Sequence, residues 1–175
     1  MAKSQRKHTQ QKPLKVAWTD FRLVDFRIVS TKCERLLPPD EAAKGTYKTS
    51  FNARVGIPGT EAEKKRGDLY LLVSVKLEGS KVTIEKEVRK VGPQSFTVNV
   101  SAEAWCTGTG KSVSEEDDLP DELVHGLVAQ VYPLLMSRVR VYVADMGYRA
   151  VRPELGYNPK KLIASNAEPK EKAAA

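Results

Sequence analysis

The chain has 175 residues, 41% hydrophobic and 29% charged, which is the size and balance of one globular domain with tails. No uninterrupted apolar run is long enough to span a bilayer, and the basic N-terminus has no apolar stretch behind it such as a secretory signal needs, so a cytoplasmic protein without membrane insertion is expected. The formal charge of +7 is concentrated at the ends: residues 1–15 carry Lys3, Arg6, Lys7, Lys12 and Lys15 and no acid, while residues 16–157 are neutral.

Three regions follow from this distribution: a basic arm over 1–15, a folded domain over 16–165 and a tail over 166–175. Both ends are rich in Lys, Gln, Ser, Glu and Ala and poor in large apolar residues, so they are expected to be disordered. A basic arm of this kind either solubilises the chain or holds RNA loosely through counterion release. Cys33 and Cys106 are too few for a disulfide framework and lack a C-x-x-C spacing, so both are read as buried free thiols.

The first strand spans residues 18–30, and its pattern changes phase. Phe21 and Leu23 share one face whereas Val24, Phe26 and Ile28 share the other, which calls for a bulge or two-sided burial near Leu23. A second strand over 47–57 ends at Gly56, Pro58 and Gly59. The third, over 69–77, begins as a nearly continuous apolar run through Val73, so its start is expected to be covered on both faces. Glu78-Gly79-Ser80 reads as the hairpin loop that follows, and Val82, Ile84 and Val88 suggest an extra strand or an extension before a turn at Gly92-Pro93. The clearest strand covers 96–105, where Phe96, Val98, Val100, Ala102 and Ala104 alternate with polar neighbours. Trp105 falls on its polar face, where a bare indole is unfavourable, so it is expected at a subunit contact or lining a groove.

The acidic run over 115–118 then leads through Pro120 into a helix over 119–146, about 40 Å long at 1.5 Å per residue. Leu123, Leu127, Val131, Leu134 and Leu135 form its apolar stripe, which resumes with Val139, Tyr142 and Met146. Pro133 should kink it by removing a hydrogen bond and crowding the carbonyl of Ala129, and Gly147 should cap it. The fold class is therefore α+β, a four-stranded antiparallel meander followed by a long kinked helix on one face and a compact, proline-marked strap over 152–159.

Catalytic motifs do not complete. Gly108-Thr109-Gly110-Lys111-Ser112 imitates the end of a phosphate-binding loop, yet Trp105 stands where that motif needs glycine. His125 has Asp121 one turn before it but no nucleophile at a matching spacing, and it is read as a solvent-facing helix histidine. Cys33, Cys106 and His125 have no metal-ligand spacing. No enzyme activity, metal or cofactor is expected.

The order of elements, with Tyr132-Pro133 inside the helix, the break at Met146-Gly147, and then Arg152-Pro153-Glu154-Leu155 and Asn158-Pro159, resembles the SecB family of protein-export chaperones. The topology lies over residues 20–165, and the residue-level likeness is carried by 131–159. The resemblance implies a short C-terminal helix, a dimer of dimers, and ATP-independent binding of unfolded polypeptides in apolar grooves between sheet and helix. Clients would be exported proteins or, in relatives encoded beside toxin–antitoxin pairs, an antitoxin.

On that reading Trp18, Phe21, Trp105, Tyr132, Leu135, Val139, Tyr142 and Tyr148 are the candidates for a polypeptide groove or an oligomer contact, the alternative being that they are core. Such chaperones dock the export motor SecA through an acidic surface, and a neutral domain with basic ends counts against that partner. A competing reading makes the chain a nucleic-acid-associated module acting through its basic arm. The outward residues Thr97, Asn99, Ser101 and Glu103 make a poor stacking platform for that role.

Overall fold

The computed structural model describes residues 16–42, 44–85, 87–108 and 119–159. A single 3-10 turn, Trp18–Asp20, leads into β1 (Phe21–Arg35). β2 (Gly45–Gly56), a short helix α1 (Glu61–Arg66), β3 (Leu69–Glu85), β4 (Val88–Gly108) and the long α2 (Asp121–Asp145) follow. The four-stranded antiparallel sheet and long helix expected from the sequence are both present.

The meander holds for β2, β3 and β4, whereas β1 leaves it and pairs with β4, giving the order β1-β4-β3-β2. The reason lies in the link over 36–44. Pro38 and Pro39 offer no N–H and a fixed φ, so a tight β1–β2 hairpin cannot form there. The link instead crosses β4 and β3 at the base of their hairpin arm, with the Leu36 and Leu37 amides both donating to the Ser95 carbonyl at 2.9 and 3.0 Å and the Val82 amide donating to the Lys44 carbonyl at 2.8 Å. β1 carries the anticipated register shift at Leu23/Asp25 and a second at Ile28/Ser30.

Two expected turns are corrected. Glu78-Gly79-Ser80 lies inside β3, and Gly92-Pro93 lies inside β4, because the two strands extend together as a hairpin arm closed between Glu85 and Val88. Pro93 is tolerated there since the ladder is irregular around it, Val91 pairing with Val82 and Gln94 with Ser80. The tip adopts a left-handed turn at Glu87, and Lys90 reaches Glu85 at 2.6 Å.

Strict alternation builds the core layer. Leu69, Leu71, Val73, Val75 and Leu77 of β3 and Phe96, Val98, Val100, Ala102, Ala104 and Cys106 of β4 are buried beneath α2. Against them α2 presents Leu123, Leu127, Val131, Leu135, Val139 and Val143, an unbroken i+4 row, flanked by Val128, Tyr132 and Met136. Leu134 is not part of this stripe: it turns outward with Val141, at 41% and 49% exposure. The helix runs through Pro133 as one element. At its end Gly147 takes φ 97° and the Tyr148 amide donates to the Val143 carbonyl at 3.1 Å, a left-handed cap that satisfies a last-turn acceptor.

On the opposite face of the sheet Tyr70 and Leu72, expected to be covered, are 37% and 38% exposed. α1 escaped the sequence reading. Its signature was present in Thr60-Glu61-Ala62-Glu63: the Thr60 hydroxyl accepts from the Glu63 amide at 3.4 Å, and Gly67 closes the helix at φ 71°. The expected short C-terminal helix, the acidic run over 115–118 and both chain ends lie outside the described residues.

Candidate polypeptide-binding site

β2 is an edge strand, and its character differs from that of the other edge. β1 is bulged twice and displays Arg22, Asp25, Arg27, Lys32 and Glu34, features that discourage further pairing. β2 pairs with β3 in continuous register from Gly45↔Lys81 to Gly56↔Tyr70, and among the described residues no strand lies on its outer side. An edge strand of this regularity is the kind to which an extended chain adds as a further strand.

The strap runs between this strand and α2. The Tyr47 hydroxyl donates to the Arg152 carbonyl at 3.3 Å, the Arg140 guanidinium to the Pro153 carbonyl at 2.8 Å, and the Tyr157 hydroxyl lies 2.7 Å from His125 Nδ1. Phe51, Tyr132 and Tyr157 form an aromatic cluster with ring centroids 5.2 to 6.1 Å apart. Burial raises the Tyr157 phenol, and burial followed by the charge of Glu154 raises that of Tyr132. His125 is thus an anchor for the strap, half-buried rather than solvent-facing as its sequence position suggested.

Where the strap leaves α2 and β2 begins, a cavity of about 250 Å³ opens, lined by Pro39, Tyr47, Ser95, Phe96, Tyr148 and Val151 among others. Its walls come from the crossover link, the beginning of β2, the adjoining Ser80 of β3 and Ser95 and Phe96 of β4, and the segment over 147–151 that follows α2. Phe96 and Tyr148 pack with ring centroids 4.5 Å apart. The Tyr148 hydroxyl donates toward the Leu37 carbonyl and lies 2.9 Å from that of Ser95, tying the link to the strap. Burial raises this phenol too, against an opposing contribution from Arg35. Phe96 can lie flat here because its cross-strand partner is Gly79, where an added Cβ would sit 2.1 Å from the ring.

The eight residues singled out in the sequence do not converge on this cavity. Phe21, Tyr132, Leu135, Val139 and Tyr148 are buried, and Tyr148 alone of the eight lines the cavity. Trp18 is half-exposed and packs on Gly126 of α2, and Tyr142 is half-buried. Trp105 stands on the opposite face of the sheet, 6.1 Å from Tyr70, in a shallower depression lined by Val24, Asp25, Glu63 and Asp68. Pro39, Tyr47, Ser95, Phe96 and Tyr157 were missed. The proline pair and the Gly79–Phe96 exchange of side-chain volume were the available signals.

Cys33 is exposed rather than buried, and partial burial followed by the charge of Asp145, the last residue of α2, raises its thiol. Cys106 is fully buried, and burial pushes its thiol to about 11. Among the described residues no cluster of His, Cys, Asp and Glu is arranged to hold a metal, and no helix is long and apolar enough to cross a membrane. The phosphate-loop imitation falls largely outside the described residues.

Comparison of the sequence with protein-family models and with curated proteins finds no match. Comparison of the structure does. A SecB-like chaperone of Mycobacterium tuberculosis, solved in complex with a ChAD peptide from the HigA1 antitoxin, superposes with a TM-score of 0.55 at 16% identity, over 81% of this chain and 94% of that one. A protein of unknown function from Streptococcus agalactiae superposes with a TM-score of 0.48 at 12% identity, over 77% of this chain and 96% of that one. With its four-stranded antiparallel sheet, long covering helix and strap, this chain has the SecB-like α+β fold.

Proposed function

We propose that the protein is an ATP-independent chaperone that holds non-native polypeptides in extended form. The observation that carries this reading is the meeting of the outer β2 edge, along which no described strand lies, with the aromatic-lined cavity at its beginning. An extended client adds backbone hydrogen bonds along β2 and places a side chain in the cavity. Backbone pairing is indifferent to sequence, so one such surface serves many segments. The solved SecB-like chaperone holding an antitoxin peptide supports a polypeptide as the ligand class, with an exported protein or an antitoxin as the client.

The working form is an oligomer, for which a dimer of dimers is the proposed arrangement. Leu134, Ser137, Val141 and Ala144 follow a three–four spacing on the outward side of α2, a narrow seam suited to a second helix. Several weakly binding edges presented together raise the affinity for one unfolded chain through effective concentration. The neutral domain does not supply the acidic surface that SecA docking needs, and SecA is left out of the proposal.

The test mixes the purified protein with a chemically unfolded, aggregation-prone client and follows light scattering at increasing molar ratio without nucleotide, with the oligomer mass measured in parallel. Suppression of scattering that saturates at a fixed ratio is expected. A monomer that leaves aggregation unchanged would refute the reading. RNA affinity that falls steeply with salt and is lost on removing residues 1–15 would transfer the function to the basic arm.

A further inference from the structure

The strap is held by the rest of the chain in the manner of a ligand. Met146 lies about 31 Å from His125 along α2 at 1.5 Å per residue. The steps from Tyr148 to Tyr157 span at most about 32 Å, and they bring the Tyr157 hydroxyl to that histidine. The segment is therefore drawn out antiparallel to α2. Its burial alternates: Val151, Pro153, Leu155 and Tyr157 turn toward the protein, whereas Arg152, Glu154 and Gly156 are exposed.

Tyr47 and Arg140 donate to the Arg152 and Pro153 carbonyls, groups that every polypeptide carries, so this hold does not depend on the sequence held. Side-chain recognition is confined to alternate positions, and it ends with the Tyr157 ring set against Phe51 and Tyr132. Over 151–155 the strap is neither helix nor strand, and among the described residues no strand ladder fixes it in place.

We infer that the groove between β2 and α2 is itself a polypeptide site, occupied in the resting chain by its own strap over 151–157, and that a client with apolar side chains at alternate positions binds by displacing it. The inference rests on the proposed polypeptide-binding function and adds its regulation. Val151 also lines the cavity, so a client entering there meets the strap at once. A tethered segment competes at a high effective concentration, and modest contacts keep the groove closed. Apparent client affinity then scales with the fraction of chains whose strap is out.

The experiment uses the full chain, as wild type and as the double variant Leu155→Ser with Tyr157→Ser, which alters the strap and leaves the groove walls as they are. The probe for calorimetric titration is the capped peptide Ac-Ala-Val-Arg-Pro-Gln-Leu-Gly-Tyr-Asn-NH2, a copy of the strap with glutamine for glutamate. The variant should bind it about tenfold more tightly than wild type, because the competing segment has lost two apolar contacts. The peptide should also raise the thermal midpoint of the variant more than that of wild type. A counterpart with serine for valine, leucine and tyrosine should bind neither protein. In wild type, with no substitution, a glutamate-specific protease should cut after Glu154 faster once the peptide is saturating, since the displaced strap is released.

Equal affinity of the two proteins would overturn the inference, as would cleavage after Glu154 that the peptide slows or leaves unchanged. Either result leaves the chaperone function standing if wild type suppresses client scattering. Binding of the peptide to neither protein overturns the inference too, and the function falls with it only if wild type also fails to suppress scattering.

Discussion

Gly79→Ala is the sharpest probe of how the cavity is built. The added Cβ would lie 2.1 Å from Phe96 Cε1 and 2.5 Å from two further ring atoms, so the buried ring must move. Three contributions compete. Alanine is favoured over glycine within a strand by about 0.5–1 kcal/mol. Overpacking a closed core costs about 1–3 kcal/mol. Separating Phe96 from Tyr148 forfeits about 0.5–1.5 kcal/mol of ring contact.

The unfavourable contributions win, with a net loss of about 2 kcal/mol expected. For a chain of this size that lowers the thermal midpoint by about 4–8 °C. Urea denaturation should show a lower midpoint with an unchanged slope, since the surface exposed on unfolding is the same. In a Phe96→Leu background the obstruction is gone, and Gly79→Ala should become neutral or mildly stabilising. A Gly79→Ala protein as stable as wild type, or an equal loss in the two backgrounds, would refute the steric account.

Three further outcomes are expected. Cys106 titrates near 11 against its ordinary 9.0, so between these values the unfolded chain has lost a proton that the folded chain keeps, and stability falls as pH rises from about 9 to 11. The loss approaches about 2.7 kcal/mol at most, the raised Tyr132, Tyr148 and Tyr157 phenols extend it above pH 10, and a urea midpoint that is flat over this window, or equally steep in Cys106→Ala, contradicts the assignment. Tyr157→Phe removes the hydroxyl that meets His125 and should cost about 1 kcal/mol in urea unfolding, whereas a difference inside the usual surface scatter of about 0.5 kcal/mol would mean that the strap is not anchored there. Leu134→Asp with Val141→Asp should leave the fold of the single chain intact, because both side chains face outward, and lower the oligomer mass in solution; an unchanged mass would remove α2 from the interface.

Local regularities were legible without coordinates. Alternation over 69–77 and 96–105 identifies inner and outer faces, and the phase change near Leu23 marks the bulge found there. The helix, its acidic start and its Gly147 cap follow from spacing and backbone preference alone. Turn chemistry misled at Gly79 and at Gly92-Pro93. Glycine at 79 answers to a ring on the neighbouring strand rather than to a bend, and Pro93 occupies a ladder irregularity.

Composition, periodicity and the resemblance over 131–159 thus suffice for the class of fold, because each depends on residues close together in the chain. Strand order and the cavity do not. β1 lies beside β4 because a proline-bearing link cannot close a hairpin, and Ser95 meets Pro39, Tyr47 and Tyr148 only after four distant segments have packed together. A serine preceding a phenylalanine is unremarkable in a sequence. Folding buries its hydroxyl, and among the described residues none pairs with it.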